Sequence, residues 1–149
     1  MSNPLSAMVE VKYDEPELLQ TFLPHGPMLQ VHRILSIEHD LILAERRVSE
    51  EDWFFPVHFP KDPIFPGSLL IEGAGQVVAM WGWNAGLRGK PRLVKTSAEF
   101  RNPVFPQDQL LTYAGRVKKR NNICIGTVEI TVKDRPIGTI SATIVVLKD

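Results

Sequence analysis

The chain holds one cysteine, Cys124, in 149 residues. That excludes an intramolecular disulfide and any cysteine-rich metal site, and the apolar strand pattern around Cys124 points to a buried, inert thiol. An excess of charge is missing too. Lys and Arg number 17, as do Asp and Glu, so no net field favours nucleic acid or an anionic membrane. The one local basic run, Arg116, Lys118, Lys119 and Arg120, reads as a solvated strand end, with an acidic protein partner as its other reading. The opening residues MSNPLSAMVEVKYDEPE have neither the basic start nor the apolar segment of a signal peptide, so a cytoplasmic location is expected. Repeats, low-complexity tracts and linkers are absent. A hydrophobic share of 44% and a charged share of 23% fit one soluble domain over residues 1–149. At this length roughly two-thirds of the unfolded surface is buried on folding, enough to need no staples.

What is present is a sharp change of texture along the chain. Asp14 to Phe22 suits a short helix with Asp14 as cap and Pro16 in the first turn. Strands are expected over 30–38 and 41–48, hinged at His39-Asp40. Pro56, Pro60, Pro63 and Pro66 then forbid helix or central strand and hold a loop stiffly. A helix follows, starting near Gly67 or Ser68 and running to about Ala85, with Asn84, Gly86 and Gly89 marking its end. Four strands rich in Val, Ile and Thr complete the chain over 92–104, 109–119, 123–133 and 137–147, with turns at Asn121-Asn122 and Asp134-Arg135-Pro136. Consecutive strands on short turns imply an antiparallel sheet, so the fold class is α+β.

From Ile64 to Leu87 the only charged residue is Glu72. A helix apolar on every side is buried on most sides, which suggests a sheet wrapped around it. A membrane span is the rival reading of this run. Glu72, Gln76 and the abundant glycine argue against it, as does the lack of a basic flank on its N-terminal side. Glu72 then needs an explanation, because burying a carboxylate costs several kcal/mol unless it is paired or protonated. Gln76, four residues on, shares its face and can orient it. A carboxyl in an apolar pocket is driven towards the neutral acid that a general acid requires. The bland alternative is a structural Glu satisfied from elsewhere. His58, in the proline-stiffened loop, is the side chain best suited to removing a proton near neutral pH, whereas a lone loop histidine is more often an ordinary polar residue. Gly67 at the helix start can offer its N–H to a ligand without a Cβ in the way, or it is a plain capping glycine. His25, His32 and His39 read as turn or surface residues, and Trp53, Trp81 and Trp83 as core packing, with the lining of a ligand channel as their other reading. No helical His-x-x-x-His pair occurs, so no metal is expected.

The segment His58-Phe59-Pro60, Pro63, Pro66-Gly67, Leu69, Ile71-Glu72 and Gln76 resembles the active-site signature of the beta-hydroxyacyl-acyl carrier protein dehydratases of the FabZ type. Glu at position 72 looks like that branch, and Asp there is the mark of the related dehydratase/isomerase branch. Leu23-Pro24-His25, Pro27-Met28-Leu29 and Val31-x-Arg33 are similar to the family's N-terminal segment. Phe100-Arg101-x-Pro103-Val104-x-Pro106-x-Asp108-Gln109-Leu110 is similar to its later strand-turn motif. The resemblance implies a hotdog fold, an antiparallel sheet of five to six strands wrapped around one long central helix. It implies dehydration of 3-hydroxyacyl thioesters on acyl carrier protein to trans-2-enoyl thioesters, with no cofactor beyond the carrier's phosphopantetheine arm. His58 and Glu72 would be catalytic, and Gly67, Ser68 and Gln76 would bind and orient. It further implies a homodimer with composite active sites, with a trimer of dimers as a larger assembly open to it, and no membrane insertion.

Some positions depart from the family's pattern. His32 stands where Asp is common, Gly73-Ala74-Gly75 is smaller than usual, Pro56-Val57 replaces a more polar pair, and the segment after His25 is about one residue short. These bear on acyl chain length and leave polyene or polyketide assembly open beside fatty-acid synthesis. The other readings are a hotdog thioesterase, an enoyl isomerase, or a non-catalytic acyl-binding subunit.

Overall fold

The computed structural model describes residues 10–149. Its order is α1 (Glu15–Leu18), β1 (Arg33–Glu38), β2 (Leu41–Arg47), α2 (Gly67–Asn84), β3 (Lys90–Phe100), β4 (Leu110–Arg120), β5 (Ile123–Val132) and β6 (Arg135–Leu147). The first helix is a single turn, shorter than the expected span over 14–22. Its capping box is formed by Asp14 and Glu17, but the chain then breaks into turns before Leu23. The six strands form one antiparallel sheet in the order β1-β2-β4-β5-β6-β3. The hotdog expectation of a six-stranded sheet against one long helix is met, and the α+β class with it. Among the described residues no helix is long and apolar enough to cross a membrane.

The tight hairpins carry the chirality that a right-handed sheet twist demands at its turns. His39, Asn121 and Lys133 adopt positive φ of 55°, 55° and 54°, the left-handed conformation that such turns require and that Asn and His tolerate better than most residues. The last hairpin turns at Lys133-Asp134, so β6 begins at Arg135, earlier than the proline at 136 suggests. Pro136 is accommodated beside a register irregularity between Ile130 and Thr131.

The long helix packs against β6, β4, β5 and β3. Alternation along the strands sorts the sheet faces: Leu111, Tyr113 and Val117 of β4, Cys124, Val128, Ile130 and Val132 of β5, and Ile140, Ala142, Ile144 and Val146 of β6 are all buried. They meet Leu70, Ala74, Val77, Val78 and Met80 of α2. Each such side chain contributes about 1.5–3 kcal/mol from burial. Cys124 lies in this core, as its apolar setting suggested.

Helix and sheet approach so closely that the contact calls for glycine on both sides. A Cβ on Gly126 would stand 2.6 Å from Val78 Cγ2, and one on Gly73 would collide with the hydroxyl of Tyr113. Gly73→Ala is therefore expected to destabilise by about 2–3 kcal/mol, since Tyr113 is fully buried and has nowhere to move. Gly75→Ala is the control. Its added methyl would meet Ile144 at an ordinary 3.6 Å, so it should be neutral or gain up to about 1 kcal/mol of helix propensity. Urea midpoints of the two variants measure the contrast.

One edge of the sheet is unfinished. β3 is exposed along almost its whole length, including Leu93, Val94 and Phe100, and it pairs only with β6. A long exposed edge strand is a template for pairing with another chain.

Candidate active site

His58 lies in a loop anchored by aromatic packing. Phe54, Phe55 and Phe65 are buried, with ring centroids 4.7 Å apart for Phe54–Phe55 and 4.6 Å for Phe54–Phe65. The Phe54 carbonyl accepts the His58 backbone N–H at 2.8 Å. Phe59 then takes φ 61°, an unusual conformation for a bulky residue, and its ring leans on the His58 ring at 4.6 Å. The His58 Nδ1 lies 3.0 Å from the Ile64 carbonyl oxygen. A carbonyl only accepts, so Nδ1 carries the proton and donates it. In the neutral ring that leaves the lone pair on Nε2, the tautomer a general base needs.

The helix opens at Pro66, which has φ −63°, ψ 129° and no side-chain cap. The cap expected from Ser68 is therefore not made: Ser68 sits in the first turn, exposed. The N–H groups of Gly67 and Ser68 meet no acceptor among the described residues, and they lie at the positive end of an 18-residue helix. Gly67 borders a cavity of about 320 Å³ together with Ile64, Leu70 and Phe100. A Cβ at 67 would approach the Phe100 ring to 3.1 Å, so the glycine is needed for this closeness.

Glu72 stands one and a half turns into the helix and borders a separate cavity of about 340 Å³ with Gly75, Gln76, Leu93, Ile144 and Leu23. Its Oε2 accepts from Gln76 Nε2 at 2.8 Å, the i,i+4 support expected. Gln76 is itself fixed: Nε2 also donates to the Met28 carbonyl at 2.7 Å, and Oε1 accepts the Gln30 N–H at 2.8 Å. Within one chain Glu72 is half-buried, not enclosed as its apolar sequence setting suggested. The helix face it occupies looks towards the open β3 side, where Pro91, Arg92 and Leu93 complete the cavity.

His58 and Glu72 share neither a hydrogen bond nor a cavity within the chain. The fold ties His58 to the Ile64 carbonyl on one side and Glu72 to Gln76 on the other. Among the described residues no three His, Cys, Asp or Glu side chains cluster to hold a metal ion.

A family model of the FabA-like domain matches residues 23–141. The chain belongs to the FabA-like family. Within it, a 3-hydroxyacyl-acyl-carrier-protein dehydratase FabZ of Brucella melitensis is 34% identical over 123 residues, covering 76% of this chain and 78% of the relative. The FabZ of Lactococcus lactis subsp. lactis is 32% identical over 130 residues, covering 84% and 89%. A solved structure of the dehydratase heterocomplex ApeI:P from Xenorhabdus doucetiae shares the fold at a TM-score of 0.72 and 18% identity, covering 88% of this chain and 91% of that one.

Several polar residues beside this FabA-like site carry no sequence motif. Arg46 is 3% exposed, and Tyr113 donates its hydroxyl to the Gln30 carbonyl at 3.0 Å. Burial pushes the Tyr113 phenol well above its usual range, so it stays a neutral donor. Trp53 is exposed, against the expectation of core packing, whereas Trp83 packs edge-on to Phe22 at 5.0 Å and Trp81 donates to the His39 carbonyl.

His32 is half-buried and lies outside any turn. Its Nδ1 accepts the Arg47 backbone N–H at 2.9 Å. Burial, with Arg46 and Arg47 adding to it, pushes its pKa down to about 4 from 6.5. The unfolded chain therefore binds a proton on His32 between pH 6.5 and about 4 that the folded chain does not. The stability due to neutral His32 is complete above pH 6.5 and lost as pH falls through that window. Its size is about 1–2 kcal/mol once partial solvent screening is allowed for. Urea midpoints across pH 4–7 should show a steeper decline for the native chain than for His32→Asn, which cannot titrate.

Proposed function

We propose that this enzyme dehydrates 3-hydroxyacyl thioesters carried on acyl carrier protein to trans-2-enoyl thioesters, in fatty-acid synthesis or a related acyl-chain assembly. The observation that carries the reading is the pair of preset protonation partners: His58 with Nδ1–H tied to the Ile64 carbonyl and Nε2 free, and Glu72 held by Gln76. His58 Nε2 takes the α-proton. The electrons of that C–H bond form the double bond as the C3–O bond breaks, and the leaving hydroxyl takes the proton of the Glu72 carboxyl and departs as water. His58 ends protonated and Glu72 ionised, so one proton must return through solvent before the next turnover. The Gly67 N–H, with Ser68 beside it, faces the enolate-like charge on the thioester oxygen. No group beyond these side chains and the carrier's phosphopantetheine arm enters the step. The reading places the enzyme in the cytoplasm.

The acting unit in this reading is a homodimer joined along β3. The exposed strand supports it, and its polarity supplies the reason. Two β3 edges pairing antiparallel set the Phe100 end of one protomer against the Leu93 end of the other. Phe100 borders the Gly67 cavity and Leu93 borders the Glu72 cavity. The partner's His58 and Gly67 would thereby approach Glu72 and complete its water-poor enclosure.

The test is incubation with a 3-hydroxyacyl carrier substrate while following absorbance of the conjugated enoyl thioester. Enoyl formation without free thiol is expected. Thiol release would favour a thioesterase, double-bond migration an isomerase, and saturable binding without turnover an acyl-binding subunit.

A further inference from the structure

A buried polar chain leads away from Glu72 and ends at the loop that carries His58. Gln76 receives the backbone N–H of Gln30 at 2.8 Å. The Gln30 side-chain oxygen receives Arg46 Nε at 2.9 Å. Both terminal nitrogens of Arg46 donate to Asp52, at 3.1 and 3.2 Å. The guanidinium also lies 4.8 Å over the Phe65 ring and 5.7 Å over the Phe54 ring. Those two rings close the base of the His58 loop. The Phe54 carbonyl holds the His58 N–H, and Phe65 follows the Ile64 carbonyl that holds Nδ1.

Arg46 occupies an inward position of β2, in phase with the buried Ile42 and Ala44. An aliphatic side chain there would avoid the cost of desolvating a charge. The guanidinium instead uses its fork on Asp52, its Nε on Gln30 and its face on two aromatic rings, which a point charge cannot do. We propose that Arg46 is a positioning residue that fixes the Glu72–Gln76 pair and the His58 loop as one unit. The inference rests on the catalytic roles proposed above. In a dimer with composite sites, each Arg46 would join the acid of one site to the base of the other.

Two substitutions test this while leaving Arg46 in place. Gln30→Met removes the Nε acceptor on the Glu72 side and spares the Gln30 backbone bonds. Asp52→Asn removes the counter-charge on the His58 side. Amide hydrogen exchange reads both ends, because the Gln30 and His58 N–H groups each make one observed bond. Gln30→Met is expected to speed exchange at the distant His58 amide, and Asp52→Asn at the distant Gln30 amide, each roughly 3- to 30-fold. Both variants should lose kcat by a similar factor with KM within about twofold. Exchange that quickens only on the substituted side, or kcat unchanged in both, overturns the proposal. A native chain that dehydrates nothing would remove the catalytic reading, and the reciprocal exchange would still decide whether Arg46 joins the two segments.

Discussion

His58→Ala is expected to lose dehydration by about 10²- to 10⁴-fold, the usual worth of a positioned general base. The fold should survive, because the side chain contributes one hydrogen bond, to the Ile64 carbonyl, from a half-buried loop position. That carbonyl can turn to water when the ring is gone, so thermal unfolding should shift little. Glu72→Gln should lose a comparable factor for a different reason. The amide oxygen of the new residue can still accept from Gln76, so the geometry is kept while the transferable proton is removed. Removing both groups should cost little more than removing one, since base and acid act in the same step. Circular dichroism, unfolding midpoints and enoyl absorbance on the same preparations separate chemistry from folding. Either single variant retaining more than about a tenth of native activity would refute its assigned role.

Much of the fold was legible in the sequence because hydrophobic pattern and turn chemistry agree. The one-charge run from Ile64 to Leu87 became α2, and Asn121-Asn122 became a hairpin. Boundaries were less legible where tertiary pairing extends a strand past its local signal. β3 begins at Lys90, across from Leu147, two residues before the expected start at Arg92. At the site, Glu72 and Gln76 stood out as polar residues in an apolar run, and His58 by the proline-stiffened loop that holds it. That the enclosure of Glu72 is incomplete within one chain was not legible, because sequence shows what a helix offers for burial, not which part of the sheet leaves it uncovered. Arg46 was missed because Leu41 to Arg47 has apolar residues in both phases. Only after Ile42 and Ala44 are known to face inward does the charge two places on become anomalous. His32 was likewise hidden, since its low pKa arises from burial and from two arginines on a neighbouring strand.

Pairing two inactive chains is expected to restore activity. A His58→Ala chain and a Glu72→Gln chain, co-expressed with different affinity tags and purified through both, would form a mixed dimer. If β3 pairs with β3, one site in that dimer receives His58 from the Glu72→Gln chain and Glu72 from the His58→Ala chain. The other site lacks both groups. The mixed dimer should then show about half of native activity per dimer, from two parents that each show almost none. Were each chain to house its own complete pair, every site in the mixture would lack one group and no activity would return. The separation of the two groups within the chain, His58 tied to the Ile64 carbonyl and Glu72 in a cavity that opens towards β3, favours recovery. The same mixed dimer also tests the strand itself, because charged residues at Val94 and Ala98 of both chains should prevent pairing, and the recovered activity should disappear with the dimer on a sizing column.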